Sequence, residues 1–463
     1  MGFTTILRGF AACLMCIAFA MIAPLMVATA GGEESAGRFL FAFVATLAAG
    51  VGAWAASIGR RPSADFRGAL VIVLLWWTVA PVFAAIPMAL GPADFADAYF
   101  EAIAALTTTG GWLSPETAIA SPSGMLWRAL LQWIGGLASL AIAAAIFIRP
   151  AFIGIDTLLP PFSRGDKANF VRPLRNAISS FFSVYAILTA LIFALLAAAG
   201  APTYDAVIMA LSTAASGGFL PNADGASGYS IIVLSVLCAA AIVSGANFVV
   251  IARLFRLSGD RLRDVETGAY LMILIFVAVL FWVLAGAGDV DLVIPQFFNA
   301  ASVLSTNGFI IGETPPLPAV MVTAIIGGAA VSTAGGLKIL RWLVIMQRGR
   351  EEIRRLIAPS AVFGKRRVSN ELGVWIHFLV FTMTLGVLMV ALSVGGHSFE
   401  LTATAAIGAL SNTGPLIYLS DAGSQGFAAI GEGYRWFLAA AMILGRLEAA
   451  VALALINRWF WRT

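Results

Sequence analysis

Charged residues are scarce in this chain: Asp, Glu, Lys and Arg together make up 11% of its 463 residues. Soluble domains carry about 25% charged residues, whereas 60% of this sequence is hydrophobic and its mean hydropathy is +0.93. Apolar segments of about 20 residues, the length that crosses a bilayer as a helix, recur along it. The composition therefore excludes a soluble protein, predicts an all-α polytopic membrane protein in a lipid bilayer, and gives no sign of a nucleic-acid partner.

Cysteine and histidine are also rare. Three cysteines provide no disulfide framework, and Cys13 and Cys16 share a helix face in an apolar run, where packing is a simpler role than a redox or metal pair. His377 and His397 have no cysteine or carboxylate cluster around them. Because we find neither a metal-site pattern nor the nucleophile or paired acids of a membrane enzyme, we predict no enzyme activity and no cofactor.

The chain does contain one short pattern four times: an apolar, helix-capable run, then hydroxyl or amide residues, then glycine. The glycines stand at positions 110, 217, 308 and 414, so the spacings are 107, 91 and 106 residues. This period is far longer than a solenoid repeat. It fits a module of two membrane helices with a loop between them.

These residue types suit the binding of a dehydrated alkali cation. Such a cation exchanges its water shell for oxygens, which consecutive backbone carbonyls supply in potassium-channel filters. Glycine permits the backbone geometry, and Ser and Thr hydroxyls add ligands. The residues predicted to bind the ion are Thr108, Thr109 and Gly110; Ala215, Ser216 and Gly217; Thr306, Asn307 and Gly308; and Asn412, Thr413 and Gly414.

We divide the chain into an N-terminal helix pair (1–62) and four pore modules (63–150, 151–258, 259–350 and 351–463). The pair is predicted at 10–29 and 38–58. The modules are predicted to have outer helices at 68–91, 176–199, 266–287 and 371–395, short pore helices at 95–106, 203–213, 292–304 and 398–410, and inner helices at 122–148, 229–255, 318–346 and 433–460. This makes ten spanning helices and four pore helices.

The first helix ends in Ala28-Thr29-Ala30, which resembles a signal-peptidase site. Its apolar stretch is long for a signal peptide, so we favour a retained helix. With the N-terminus in the cytoplasm, all but three of the 28 Lys and Arg residues fall on the inner side or in the inner half of a helix. This positive-inside pattern predicts that both termini are cytoplasmic. More than half of the acids fall on the outer side, where they concentrate cations; Asp205 and Glu400 lie early in their pore helices.

The chain resembles the Trk/Ktr/HKT superfamily of potassium transport proteins, and most closely its bacterial TrkH/TrkG-type membrane subunits. The resemblance covers the whole length. Besides the four loops, it rests on Leu131-Gln132-Trp133-Ile134-Gly135-Gly136, Ser332-Thr333-Ala334-Gly335-Gly336-Leu337-Lys338 and Leu444-Gly445-Arg446-Leu447-Glu448.

The resemblance implies four pseudo-symmetric modules around one pore, a homodimer in the bacterial inner membrane, and a cytosolic TrkA-type nucleotide-binding ring that gates the pore. It implies that a filter glycine in every module favours potassium as the transported ion. Two departures from the family pattern weaken that inference: Asn307 replaces a common hydroxyl residue, and Ala214-Ala215-Ser216 offers little hydroxyl chemistry.

The third inner segment carries four glycines with Ser and Thr, which should break its helix. On residue types alone, a gate and a kink that serves packing are equally supported; the resemblance favours a gate below the filter. Arg446 lies in an apolar run, where an arginine is costly unless it faces a cavity or a partner. We predict that it faces the pore and repels cations; the alternative is an ion pair with a carboxylate. The predicted gate residues are Gly327, Gly328, Ser332, Thr333, Gly335, Gly336, Lys338 and Arg446.

A cation-coupled secondary carrier is the competing hypothesis, because carriers also contain interrupted helices around a midplane site. Carriers of that kind show two inverted halves, whereas this chain shows four repeats in one orientation. The sequence leaves open whether transport is passive or coupled to H⁺ or Na⁺.

Overall fold

The structure, a computed structural model, describes residues 3–59, 66–91, 93–113, 115–147, 171–222, 225–255, 264–286, 289–357, 371–420 and 423–447. These residues form helices, short 3₁₀ turns and connecting loops, without strands. Within the described residues, seven helices are long and apolar enough to cross a membrane, or eight if one bent pair counts as a single span. The prediction of an all-α polytopic membrane protein is confirmed.

The N-terminal pair consists of Phe3–Ala20 continued by Ile22–Gly31, and Ser35–Ala55. The outer helices are Phe66–Thr78 with Ala80–Ala89, Val171–Ala198, Val265–Gly286 and Glu371–Val394. The short helices before the glycine loops are Phe95–Leu106, Thr203–Ala214, Val293–Leu304 and Phe399–Leu410. Their bounds lie within one residue of the predicted pore helices. Three of them begin after Asp94, Pro202 or Ser398, which are residue types that favour a helix start, and all four end where the polar run starts.

The inner segments differ from one another more than the sequence indicated. The first is one helix, Pro122–Phe147, as predicted. The second was predicted as one helix over 229–255, but it consists of Ile231–Gly245 and Phe248–Phe255, which meet at 106°. That prediction was wrong because one glycine, Gly245, is only a weak local signal, and the backbone groups freed at the break are paired by residues distant in the chain.

The third inner segment is divided as predicted: Leu317–Ile326 ends at Gly327, and a helix resumes at Ile339–Ile357. We call residues 327–338 the central loop. The fourth inner helix is Glu432–Arg446, and its predicted continuation to 460 lies outside the described residues. These two inner segments account for the difference between ten predicted spans and the eight recognised by length and composition.

The molecule is polar at its centre and apolar at its rim. Nearly all residues of the four glycine loops and of the central loop are buried, including the hydroxyl groups of Thr108, Ser216, Thr306 and Thr333. Large apolar side chains such as Met272 and Val387 are exposed on the outer helices instead. This distribution suits a protein whose surroundings are lipid, since irregular backbone at membrane depth must be buried in protein or line a watery cavity.

Candidate functional site

The four glycine loops (107–111, 215–219, 305–309 and 411–415) share one backbone conformation at their second and third residues. In each, one non-glycine residue is left-handed: Thr108 at φ 55°, Ser216 at 53°, Thr306 at 62° and Asn412 at 55°. The next residue donates its backbone N–H five residues back into the short helix, from 109 to 104, 217 to 212, 307 to 302 and 413 to 408, at 2.8–2.9 Å. The left-handed geometry costs non-glycine residues energy, so its fourfold recurrence indicates a common built site.

This conformation corrects the register of the second loop. Ser216 corresponds to Thr108, so Gly218, and not Gly217, occupies the position of Gly110, Gly308 and Gly414. Ala215, predicted to bind the ion, is the C-cap of its short helix, as Thr107 is in the first module. The adjacent glycines allowed two alignments, and the end of the short helix decides between them. Ser216 therefore supplies the hydroxyl that this loop seemed to lack.

The four glycines need to be glycine because the loops close tightly on one another. A Cβ on Gly110 would lie 2.5 Å from the backbone nitrogen of Gly218, and a Cβ on Gly218 would lie 3.0 Å from the carbonyl of Asn307. A Cβ on Gly308 would meet Pro415 at 3.1 Å, and one on Gly414 would lie 2.6 Å from the carbonyl of Thr109. The contacts run from module one through two, three and four and back to one, so the loops form a ring.

The ring places the carboxyl ends of four short helices around one point. Helix carboxyl ends carry partial negative charge, which favours a cation there. At their opposite ends, three of the helices carry an acid in the first turn, namely Asp97, Asp205 and Glu400. The local electrostatics therefore favour cations along the line through the ring.

Each inner segment touches the short-helix end of the next module. Cβ atoms on Gly136, Gly245 and Gly335 would lie 3.1 Å from Ala215, 3.0 Å from Ser305 and 1.9 Å from the carbonyl of Ser411. In the fourth segment, Gly445 packs on the carbonyl of Leu410 as Gly135 packs on Leu106. The next residue, where the first segment has Gly136, is Arg446. An arginine thus occupies a position at which the first three inner segments have glycine.

Arg446 fills the space under the ring. Its Nε donates to the carbonyl of Thr107 at 2.6 Å, one terminal nitrogen donates to the carbonyl of Thr333 at 2.7 Å, and the other bonds to the hydroxyl of Thr108. Its hydrogen bonds to described residues all go to carbonyl and hydroxyl oxygens rather than to a carboxylate. The guanidinium therefore lies where oxygens of the ring and of the central loop converge.

The central loop docks directly on the inner side of the ring. The hydroxyls of Ser216 and Thr333 are 2.7 Å apart, and the N–H of Gly335 donates to the hydroxyl of Thr306 at 2.8 Å. The N–H of Gly336 donates to the carbonyl of Ser411 at 3.1 Å. These direct bonds place the central loop in contact with the ring.

Lys338 closes the loop on itself. It has φ +71°, and its ammonium group bonds to the carbonyls of Ser332 and Ala334. A cavity below the loop is lined by Lys338, Arg341, His377 and Arg446 among others. The positive charges of Lys338, Arg341 and Arg446 around this cavity raise the electrostatic cost of placing a cation in it. Of the other predicted gate residues, Gly327 and Gly328 begin the loop; a Cβ on Gly327 would lie 2.2 Å from the carbonyl of Gly335.

Sequence reasoning missed Gln132 as a packing partner of the ring. Its fully buried Oε1 accepts the hydroxyl of Ser212 at 2.9 Å, and that hydroxyl oxygen accepts the N–H of Phe219 at 3.0 Å. The side chain also packs against Gly217, where a Cβ would lie 2.2 Å away. A polar residue within a long apolar helix was the signal that could have singled it out.

The three arginines that the charge pattern placed on the outer side all have acidic partners. Arg38 lies 3.8 Å from Glu34, Arg128 bonds to Glu101, and Arg435 bonds to Asp97. Glu101 also accepts the backbone N–H of Leu113 at 3.0 Å. The Arg128–Glu101 pair thereby holds the segment that follows the first glycine loop.

Comparisons with known proteins agree with this architecture. The family profile described as TrkH, cation transport protein, matches residues 36–456. The chain is 28% identical to the Trk system potassium uptake protein TrkH of Salmonella typhimurium, with 100% of both chains covered. It is 29% identical to the Trk system potassium uptake protein TrkI of Halomonas elongata, covering 99% of this chain and 96% of that protein.

A solved structure shows the same fold. The crystal structure of the potassium transporter TrkH from Vibrio parahaemolyticus matches over 100% of both chains, with a TM-score of 0.86 and 25% sequence identity. The profile match covers far more than half of the sequence, and the relatives are matched almost from end to end. This chain belongs to the TrkH cation transport family.

Proposed function

We propose that this chain takes up potassium across the bacterial inner membrane through a pore whose selectivity filter is the ring of glycine loops. The observation that carries the proposal is the fourfold recurrence of one left-handed loop conformation at the carboxyl ends of four short helices. Relatives named as Trk system potassium uptake proteins support potassium as the ion.

In this mechanism, potassium arrives at an outer face that carries acids and loses its water to loop oxygens. The ligands are the carbonyls and hydroxyls of residues 108–110, 216–218, 306–308 and 412–414. Backbone carbonyls replace a hydration shell without a net protein charge, so the ion binds and still leaves. The negative ends of the short helices stabilise it at the ring.

The inner side of the pore is closed by the central loop and Arg446. The loop hydrogen-bonds to the ring at Ser216 and Thr306, and the guanidinium of Arg446 holds Thr107 to Thr333. A fixed positive charge beside the filter repels potassium more strongly in a low-dielectric site than in water. Opening requires the loop and the arginine to leave the pore axis.

We further propose the assembly that the resemblance implies: a homodimer with both termini in the cytoplasm and a cytosolic TrkA-type nucleotide-binding ring that controls the central loop. The four pore modules, with boundaries at 150, 258 and 350, form the pore, and the N-terminal pair packs beside module one. Helix contacts support that placement, because the N-terminal helices pack on the first outer and first inner helices.

The first test is uptake of rubidium-86 into liposomes that contain the purified protein, with potassium, sodium and lithium as competitors. We expect potassium, but not sodium, to block uptake by the wild type. We expect Gly110→Ser to lose this selectivity, because Gly110 has φ +72° and its Cβ would meet the Gly218 backbone. Gly37→Ser is the matched control, since a Cβ on Gly37 meets nothing within 4 Å.

Arg446→Ala tests the closed inner side in the same assay. We expect faster uptake with an unchanged order of competitors, because the barrier is removed and the ring is kept. Sodium competing as well as potassium in the wild type would contradict the filter and favour a coupled carrier. So would the absence of uptake in every protein after the ring partner and its nucleotide are added.

A further inference from the structure

The break in the second inner helix is filled by the central loop. Ile231–Gly245 ends and Phe248–Phe255 begins at 106° to it, so the carbonyl of Gly245 and the N–H of Phe248 lack their usual helical partners. The loop supplies both: the N–H of Ala329 donates to Gly245 at 2.9 Å, and the N–H of Phe248 donates to Val331 at 2.7 Å. The first part of the loop is thus paired with the second inner segment, through backbone hydrogen bonds that the glycine loops do not share.

One buried carboxylate fastens this junction. Glu266 lies in the first turn of the third outer helix and is 3% exposed. One of its oxygens accepts the N–H of Ala330 at 2.6 Å, and the other accepts the side-chain amide of Asn247 at 2.9 Å. Asn247 in turn accepts the N–H of Val249 at 3.0 Å, which caps the second half of the broken helix. Three elements therefore meet at Glu266: the outer helix, the break and the loop.

These bonds oppose movement of the central loop. Hydrogen bonds to a charged acceptor are stronger than neutral ones, and a buried carboxylate that loses its donors is left without compensation. If the loop moved away at Ala330, Glu266 would lose the N–H donor of Ala330 and keep a buried oxygen without a hydrogen bond. Both carboxylate oxygens accept N–H donors here, so in this arrangement the group binds the loop and not a cation.

We propose that Glu266 is a positioning residue that latches the central loop across the pore, acting through Ala330 at one end while Arg446 and the glycine ring hold the other end. The inference rests on the proposed function, because it takes the central loop as the gate. It adds a second, separate attachment of that gate to the protein. Removing the latch should favour the open loop and leave the filter unchanged.

The test is rubidium-86 uptake into liposomes without any partner protein, for wild type, Glu266→Ala and Glu266→Gln. We expect Glu266→Ala to raise the maximal uptake rate on the order of tenfold, a change that corresponds to about 1.4 kcal/mol in the closed-to-open balance. The rubidium concentration for half-maximal uptake and the order of competitors should stay as in the wild type, because the latch does not touch the ring. Glu266→Gln keeps one acceptor and should give a smaller increase.

Asp264→Asn is the matched control. Asp264 precedes the same helix and accepts the N–H and hydroxyl of Thr267 at 3.2 and 2.7 Å. Asparagine also caps helices well, so this variant removes a nearby negative charge without touching the loop. We expect uptake equal to that of the wild type. An equal increase in uptake rate in Asp264→Asn and Glu266→Ala would overturn the latch. It would mean that negative charge at the start of the helix, and not the bond to Ala330, controls uptake.

A second measurement serves if Glu266→Ala does not fold. Val331 is 1% exposed, so a cysteine introduced there into a chain lacking Cys13, Cys16 and Cys238 should react slowly with a water-soluble thiol reagent. We expect Glu266→Gln to speed this reaction severalfold, which reports loop opening without any flux measurement. An unchanged reaction rate would overturn the latch.

Arg446→Ala distinguishes failure of the Glu266 latch from failure of the proposed pore function. If Arg446→Ala raises uptake while both Glu266 variants behave as the wild type, the pore stands and the latch is wrong. If no protein in the series takes up rubidium, even with the TrkA-type partner and its nucleotide, the proposed function is wrong, and so is the latch that depends on it.

Discussion

Two adjacent glycines in the second loop face different neighbours, and this separates a position in the ring from a position that packs against one side chain. A Cβ on Gly217 would meet the flexible side chain of Gln132 at 2.2 Å. A Cβ on Gly218 would meet the rigid ring of Pro415 at 2.4 Å and the carbonyl of Asn307 at 3.0 Å. The first clash can be relieved by shortening one side chain, whereas the second involves backbone and proline.

We therefore predict that Gln132→Ala restores part of the rubidium uptake that Gly217→Ala removes, but restores none in Gly218→Ala. The measurement is uptake by the two single glycine variants and the two double variants, each at equal protein in liposomes. Gln132→Ala alone is the control for the lost Ser212 contact. Equal rescue of both glycines would mean that Gly218 is a packing position as well, and the corrected register would then be wrong.

At the scale of elements, the short helices were predictable and the break in the second inner helix was not. The short helices end where apolar residues are followed by Ser, Thr, Asn and Gly, so neighbouring residues in the sequence determine where they end. The break at Ala246 and Asn247 follows a single glycine, Gly245, and contains no proline. It is stabilised by hydrogen bonds to the central loop, which lies more than 80 residues later in the chain. Long-range pairing of that kind leaves no periodic signal in a sequence.

The docking of the N-terminal helix pair depends on a carboxylate at its turn. Glu33 accepts the hydroxyls of Ser123, Ser121 and Ser35 and the N–H of Ser123, at 2.6–3.1 Å. Burial acts to raise the pKa of Glu33, but these hydrogen bonds outweigh it and hold the pKa below its usual value. The ionised Glu33 carboxylate therefore stabilises the folded protein above the pKa of an unfolded glutamate, about 4.3. This stabilisation is lost as the pH falls through the lower pKa of Glu33 in the folded protein.

Accordingly, Glu33→Gln should lower the thermal unfolding temperature at pH 7 by roughly 1–2 °C, and the difference from wild type should shrink as the pH falls below about 4.3. The measurement is the thermal unfolding temperature of both proteins in detergent, over a pH series from 7 down to below 4. Glu34→Gln is the control, because the Glu34 side chain is 96% exposed. A Glu33 effect that persists unchanged at the lowest pH would show that shape, and not charge, holds the turn.

At the scale of the whole molecule, we expect the proposed cytosolic partner to bind the polar helix after the central loop. Ile339–Ile357 is amphipathic, and its far end carries exposed Arg350 and Arg354. Arg348 in the same helix pairs with Glu351 and Glu352, at 3.5 and 2.7 Å. Because this helix continues directly from the central loop, a force on it is transmitted to the proposed gate.

We predict that replacing Arg350 and Arg354 together by Ala weakens stimulation by a TrkA-type ring severalfold and leaves partner-free uptake unchanged. Charge at an exposed surface acts mainly on association, so the loss should grow smaller at high salt. Uptake with increasing ring concentration, at low and at high ionic strength, measures this. A variant with normal stimulation at every salt concentration would place the contact elsewhere.

The sequence by itself determined the class of protein, the four modules, the limits of the short helices and the interruption of the third inner segment. These features follow from composition, hydrophobic length and local breakers such as glycine, which act within a few residues of themselves. The family could also be inferred, because its motifs are contiguous in the chain. Arg446 stood out for the same reason, as a charge within an apolar run.

Only the tertiary structure decided the rest. It placed Gly218 in the ring instead of Gly217, set Arg446 where the first three inner segments have glycine, and docked the central loop on the ring through direct hydrogen bonds. It also brought Glu266, Asn247 and Ala330 together from three different elements. Such contacts depend on how modules close around one axis, and no local propensity encodes the distance between residues that are a hundred positions apart.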